Sequence, residues 1–464
     1  MKYINGNVSE LNVAYIGGGS RGWAGNFMMD LAMDSQMEGT LRLYDIDKSA
    51  AEKNKIIGER ISAHPDARAH WKYEVSPSLS DALRGADVVV ISILPGTFAE
   101  MRSDVHLPER YGVWQSVGDT VGPGGMVRAL RTIPMYVEIA EAIRHHAPEA
   151  WVINYTNPMS LCMATLYEVF PQIRAFGCCH EVFGTQKLLA SMLLDMCGIE
   201  GVTRQEIKVN VLGINHFTWF DAASYEGMDL FPLYRDFSQK YYDTGFCYTE
   251  NDNPVNKSFS CTHRVKFDLF QRYGLIAAAG DRHLAEFMPP WYLKNPQTVE
   301  AWGFGLTTVD WREADLARRL TRREALISGE EKLVLKPSGE EGNLLIKALL
   351  GLGDLTSNVN LPNRGQIENL PLGAIVETNA LFRRGGIFPT LAGSIPGNIL
   401  PLVARHVHNQ RNTLQAALNT DYPLALSTLL NDPLMEGVSP SDADILLRQM
   451  LHNTSSYLPA GYSM

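Results

Sequence analysis

The feature that most limits how this chain folds is a glycine turn, Gly17-Gly18-Gly19-Ser20-Arg21-Gly22, placed directly after the apolar run Leu11-Asn12-Val13-Ala14-Tyr15-Ile16. Glycine at positions 17, 19 and 22 between an apolar run and a helical pattern predicts strand, tight turn and helix. A second run, Leu41-Arg42-Leu43-Tyr44-Asp45, follows after a helix-length gap. Asp87-Val88-Val89-Val90-Ile91-Ser92-Ile93-Leu94 is nearly continuous in branched apolar residues, the pattern of a strand covered on both faces in a parallel sheet. Further strands are predicted at 151–154 and 173–176. Between them, 126–146 carries Leu130, Ile133, Val137, Ala140 and Ile143 at helical spacing, with Pro148 beyond its end. This alternation predicts an N-terminal Rossmann-type α/β domain, a doubly wound parallel sheet, over residues 1–200.

In that context the turn reads as a dinucleotide cradle. Gly17, Gly19 and Gly22, with Ser20 between them, let backbone N–H groups approach a pyrophosphate at a helix N-terminus. Asp45 ends the next strand, where a carboxylate accepts hydrogen bonds from ribose hydroxyls and repels a 2′-phosphate, so NAD is expected rather than NADP. The same residues also match Gly18-x-Ser20-x-Gly22, which would make Ser20 a hydrolase nucleophile but leave Asp45 without a role.

Past residue 200 the pattern is less regular. A hairpin is expected over 209–225, a Tyr/Asp/Asn-rich stretch near 241–256, and helices near 266–288, 340–353, 399–418 and 441–452. With no linker or repeat to mark another boundary, 201–464 reads as one mixed α/β substrate- and metal-binding domain. Forty-one Lys and Arg against 51 Asp and Glu give a net charge of -10 with no basic tract, which excludes nucleic acid and anionic membrane as partners. Residues 1–7 lack a signal-peptide core, and no apolar run is long enough to span a bilayer, so a cytoplasmic protein is expected. Six cysteines are too few for a disulfide framework, and two of them, Cys178 and Cys179, are adjacent. Reduced thiols are the expectation.

Cys179 is followed by His180-Glu181-Val182, and a second histidine stands in Gly213-Ile214-Asn215-His216. A thiolate with an imidazole suits a transition metal rather than magnesium. These two segments, with Val117-Gly118-Asp119-Thr120-Val121-Gly122-Pro123-Gly124-Gly125 and Tyr155-Thr156-Asn157-Pro158, occur in the order found in the NAD- and manganese-dependent glycosidases of glycoside hydrolase family 4, which the chain resembles. Gly280-Asp281-Arg282-His283-Leu284-Ala285-Glu286-Phe287 and Asn363-Arg364-Gly365-Gln366-Ile367-Glu368-Asn369-Leu370-Pro371 extend the resemblance over nearly the whole chain. That family is an exception to the two-carboxylate scheme of most glycosidases. It works by oxidation at sugar C3, loss of the C2 proton, departure of the aglycone, addition of water and return of the hydride.

The resemblance implies that Cys179, rather than Cys178, and His216 bind a divalent metal, Mn²⁺. It implies Asp281 as the base and Asp119 as the acid, and it puts Asn157 beside the sugar and the nicotinamide. His180, Glu181, Arg282 and His283 are implied in the sugar pocket, with Glu286 one helical turn from His283. Phosphosugar members carry Asp or Asn after the metal cysteine and proline two residues later; His180 and Val182 stand there instead. Cys-His-Glu-Val resembles members acting on α-galacturonides, with α-glucosidases, α-galactosidases and α-glucuronidases as alternatives. A uronate carboxylate calls for an arginine, with Arg264, Arg282 and Arg384 as candidates. Two rivals remain: an NAD-dependent hydroxy-acid dehydrogenase, since lactate and malate dehydrogenases share the first-domain architecture, and a non-catalytic NAD-binding regulator. A homodimer or homotetramer is expected.

Overall fold

The computed structural model describes residues 1–247 and 261–462. Its larger sheet is built from β1 (Lys2–Ile4), β2 (Asn7–Ile16), β3 (Met37–Tyr44), β4 (Lys72–Val75), β5 (Val88–Ile91), β6 (Trp151–Asn154) and β7 (Arg174–Gly177). A smaller sheet contains β8 (Lys208–Ile214), β9 (Phe217–Tyr225), β10 (Met228–Asp229) and β11 (Ile276–Ala277). The last three strands, β12 (Leu355–Pro362), β13 (Ile375–Arg383) and β14 (Gly386–Pro389), return to the larger sheet. Its parallel part runs β4-β3-β2-β5-β6-β7. Strand order reverses between β2 and β5, and the crevice at their carboxyl ends is where a doubly wound sheet binds its ligand.

Period-two alternation explains why both faces of this sheet are covered. Val13, Tyr15, Val88 and Val90 pack with Phe27 and Leu31 of helix Trp23–Ala32 and with Leu345 and Ile346 of helix Gly342–Leu349. Ala14, Ile16, Val89 and Ile91 face the other way, onto Tyr136, Ile139 and Ile143 of helix Gly122–His146. Each fully buried aliphatic side chain here contributes roughly 1.5–3 kcal/mol. The five parallel strands read from sequence all form, and the helix expected over 126–146 starts four residues earlier.

The division expected at residue 200 falls in the connection after helix Glu181–Cys197. Three strands from beyond it nevertheless complete the first sheet, because β7 leaves an open edge that β12 meets antiparallel at Asn360 opposite Gly177. The hairpin expected over 209–225 is β8–β9. The helix expected over 266–288 is instead two: Arg264–Tyr273 stops at Gly274, whose φ of 75° ends a helix, and after β11 the chain re-enters at Asp281–Glu286. Helices Gly342–Leu349, Leu400–Asn419 and Pro440–Asn453 match expectation. From residue 248 the Tyr/Asp/Asn-rich stretch lies outside the described residues. Helices Lys48–Ser62 and Val309–Ser328 are additional to the expected set. Among the described residues no helix is long and apolar enough to cross a membrane, and all six cysteines are free thiols.

Candidate active site

The glycine turn lies at the strand-order reversal. Gly17 has φ 90°, and a Cβ there would sit 2.0 Å from the Ser92 carbonyl oxygen at the end of β5. Packing therefore demands glycine. The Gly17 and Gly18 amides both donate to the Tyr44 carbonyl at 2.9 Å. From helix Lys48–Ser62, the buried Asn54 side chain donates to the Gly18 and Ser20 carbonyls at 2.8 Å. Asp45 Oδ2 accepts from the Gly19 amide at 2.8 Å. The structure thus brings together Gly17, Gly19, Ser20, Gly22 and Asp45, a cradle of backbone closed to any Cβ, which fits a dinucleotide.

A cleft of about 590 Å³ runs from Trp23, at the start of the helix after Gly22, to Asp119, Glu181, Asp281 and His283. His216 stands behind Asp119 and His283 of its wall, on a two-residue turn between β8 and β9, in a left-handed conformation with φ 65°. A non-glycine residue held there marks a position where the surroundings override local preference. Its ring stacks on His283 with centroids 3.7 Å apart. The Thr120 hydroxyl donates to Asp119 Oδ1 at 2.7 Å and lies 2.9 Å from His216 Nδ1. A hydroxyl has one proton to give, so His216 Nδ1 is the donor in the second bond and Nε2 keeps its lone pair. Burial, and then the neighbouring His283, lowers His216 to about 3, leaving the neutral ring that a metal requires. Asp119, His216 and His283 place potential ligand atoms within 4.8 Å of one another, and among the described residues His283 Nδ1 is buried without a hydrogen-bond partner.

Cys178 and Cys179, just past β7, face opposite ways. Cys178 packs with the helix Trp23–Ala32 side and Cys179 with the helix Gly122–His146 side. Cys179 stands outside the group of three ligand atoms and meets it through Asn215, whose amide touches the thiol. Burial, followed by the carboxylates of Glu377 and Glu181, holds that thiol well above its ordinary pKa. A divalent cation reverses this preference by its own charge. Asn215 also donates to Glu377 on β13 at 3.3 Å, and Asn358 on β12 donates to Glu377 at 2.6 Å and to the Cys179 carbonyl at 3.1 Å. Sulfur, imidazole and carboxylate donors held by such a network fit a divalent transition metal.

Asp281 is fully buried, with its oxygens 3.2 Å from the Val265 and Lys266 amides at the start of helix Arg264–Tyr273. Burial raises it to about 6 against the pull of Lys266 and those amides. Asp119 is the reverse case: burial opposes its charge, but His283 and Arg128 outweigh burial and hold it well below the usual carboxylate range. Glu181 starts helix Glu181–Cys197, accepts from the Gly280 amide at 2.6 Å, and falls to about 2 because His283, His180 and that amide outweigh its burial. Asn157 Nδ2 lies 3.4 Å from Asp119 Oδ2, while its Oδ1 is buried without a partner. His180 pairs with Glu340 at 3.2 Å and stacks on Trp23 at the cleft wall.

Some sequence candidates fall elsewhere. Glu286 does not line the cleft; its Oε1 accepts from the Val117 and Gly118 amides at 2.7 and 2.9 Å, clamping the loop that carries Asp119. Arg264 donates to the Tyr242 carbonyl and lies over Trp302, and Arg384 lies over Tyr3, so of the three arginines only Arg282 borders the cleft. Sequence reasoning missed Thr120, Asn54, Glu377 and Arg312. Thr120 follows Asp119 directly, which is a usable signal; Glu377, followed by Thr378 and Asn379 in its strand, and Arg312 have none.

Two family models match the chain, Family 4 glycosyl hydrolase over residues 12–195 and Family 4 glycosyl hydrolase C-terminal domain over residues 211–435. An alpha-galacturonidase of Thermoanaerobacterium saccharolyticum is 61% identical over 459 residues, covering 99% of this chain and 98% of that protein. The crystal structure of lplD from Bacillus subtilis is 52% identical, covering 96% of this chain and 100% of that one with a TM-score of 0.91. A 6-phospho-alpha-glucosidase from gut microorganisms, solved in complex with NAD and Mn²⁺, shares the fold at 20% identity and a TM-score of 0.80, covering 97% and 99% of the two chains.

Proposed function

The chain belongs to family 4 of the glycosyl hydrolases, and from that premise we propose that it cleaves an unphosphorylated α-galacturonide with NAD and Mn²⁺ bound. It is a hydrolase of glycosidic bonds, so the dehydrogenase and regulator readings fall away. The observation that carries the substrate is 61% identity, end to end, with an alpha-galacturonidase. A neighbour of the same fold holds NAD and Mn²⁺, and the cradle and donor set here suit both.

The chemistry these groups supply when bound is reversible hydride removal at sugar C3 and Lewis-acid polarisation of the oxygens at C2 and C3. The residues do the rest. Asp45 and the Gly17–Gly22 turn would hold the dinucleotide. His216 through Nε2, and Cys179 as thiolate, hold the metal, with Thr120 fixing the histidine tautomer. Asp281 takes the C2 proton; its carboxyl near 6 is mostly ionised at neutral pH yet basic enough to accept it. Asn157 orients a sugar hydroxyl through its unpartnered Oδ1. Asp119 gives the leaving oxygen a proton and is recharged by the proton of the water that adds at C1; its surroundings favour the ionised form, so this service matters least for a good leaving group. Trp23 and Trp311 wall the cleft against water. A reducing cytoplasm suits the thiolate ligand, and sedimentation tests the expected homodimer or homotetramer.

The test is turnover of an aryl α-galacturonide with NAD⁺ and Mn²⁺ in D₂O under reducing conditions. Product carrying deuterium at C2 is expected, with no net NADH. Cleavage at full rate by enzyme stripped of nucleotide would overturn the mechanism, and turnover of neutral α-glycosides with none of the galacturonide would overturn the substrate.

A further inference from the structure

Helix Val309–Ser328 roofs the cleft, and it carries two arginines seven residues apart, two turns along one face. Their surroundings differ. Arg319 reaches the cradle, with Nη1 2.6 Å from where a Gly22 Cβ would stand, and its Nε donates to Asp315 at 2.6 Å. Arg312 lies roughly 10 Å further along the axis, toward the sugar end, where the charged groups acting on it are Asp119, Arg282 and Glu286. Its Nε is buried without a hydrogen-bond partner, and among the described residues its guanidinium makes no ion pair. Arg282 borders the same end of the cleft, so the two cations stand near each other in a poorly hydrated wall.

Holding a second guanidinium beside the first, with a buried N–H unanswered, costs stability that folding alone does not recover. Such an arrangement is answered by an anion, and a guanidinium's parallel N–H groups match a carboxylate in particular. We infer that Arg312, with Arg282 beside it, binds the C6 carboxylate of the sugar and sets the preference for a uronide over the neutral hexoside. This rests on the galacturonide reading above. The cofactor's pyrophosphate is the other anion in the cleft, and it belongs to the Arg319 end, two helical turns away.

A matched pair of substrates that differ only at C6 tests the inference: an aryl α-galacturonide and the corresponding aryl α-galactoside, with galacturonate and galactose as competing inhibitors where the galactoside is too slow to follow. Arg312→Gln should lower kcat/KM on the galacturonide by roughly 10²-fold or more, chiefly through KM, while the ratio of galacturonide to galactoside, or of galacturonate to galactose affinity, collapses by a similar factor. Arg312→Lys keeps the charge without the fork and should fall between. NAD⁺ affinity, from nucleotide fluorescence, should hold within about twofold, and unchanged thermal melting shows that the variant folds. An equal fall on both substrates, or a loss confined to NAD⁺ affinity, overturns the role of Arg312 while leaving the galacturonide reading intact. A wild-type enzyme that ignores galacturonides altogether overturns that reading instead.

Discussion

Asp281→Asn should separate catalysis from folding in opposite senses across pH. In the folded protein the Asp281 carboxyl is raised from 3.8 to about 6, chiefly by burial. The folded state thus holds this proton more tightly than the unfolded chain does. Its contribution to stability is complete below the unfolded value near 4 and is lost as pH rises through about 6. A shift of about two pH units corresponds to about 3 kcal/mol. For a chain of this length, with an unfolding entropy of about 1 kcal/mol per degree, that is about 3 °C in Tm. Asparagine cannot titrate, so the difference in Tm between wild type and variant should change by about 2 °C between pH 4.5 and 7.5 in the variant's favour, the share of the full shift that falls in that window. The absolute difference is a poorer guide, because the new amide sets an N–H donor against the Val265 or Lys266 amide at a cost of about 1–3 kcal/mol at every pH. Meanwhile turnover should fall by roughly 10²–10⁴, and the acid limb near pH 6 in log kcat/KM of the wild type should vanish. Melting scans and rate profiles over the same buffers read both. A variant that keeps the wild-type slope of Tm against pH, or keeps the acid limb, would refute the assignment of Asp281 as the titrating base.

Cys179→Ala or His216→Ala should abolish Mn²⁺ binding by isothermal titration, whereas Cys178→Ala, whose thiol faces the opposite side of the sheet, should bind the metal as the wild type does. Gly17→Ala should weaken NAD⁺ binding by about tenfold or more, since the left-handed backbone alone costs roughly 1–2 kcal/mol and the new methyl meets the Ser92 carbonyl; wild-type affinity in a fluorescence titration would mean the turn is not the cradle. Asp119→Asn should slow substrates with sugar leaving groups far more than nitrophenyl glycosides, and an equal loss on both would remove the acid role.

Local patterns carried the parallel sheet. The branched residues at 88–91 are covered from both sides, so their run is unbroken, and the glycine turn is legible because contact with Ser92 and Leu43 allows no other residue. Buried polar strands were not legible. In β12 the side chains of Ser357, Asn358 and Asn360 point inward, and what satisfies them, Glu341, Glu377 and backbone carbonyls near Cys179, comes from elsewhere in the chain. Helix Val309–Ser328 hid for the opposite reason: Val309 and Arg323 are its only buried residues, and its pattern is set by ion pairs such as Asp315 with Arg318 and Arg319. Cys179, His216, Asp119 and Asp281 are proposed from the combination of motifs, because no single one of them has a spacing that distinguishes a ligand or base from an ordinary loop residue.

The return of β12 to β7 also sets an order of events during synthesis. The partner of Gly177 is Asn360, about 180 residues later in the chain, so at ordinary elongation rates the β7 edge stays uncovered for on the order of ten to forty seconds after it leaves the ribosome. For that interval the nascent chain displays a parallel sheet whose β7 margin is bare and, just past it, the cysteine proposed for the metal. Closure of the margin brings β12, β13 and the Glu377 network to that cysteine, so the surroundings proposed for the metal are complete only after most of the polypeptide has been made, and a chain that stops before residue 355 keeps the β7 edge open.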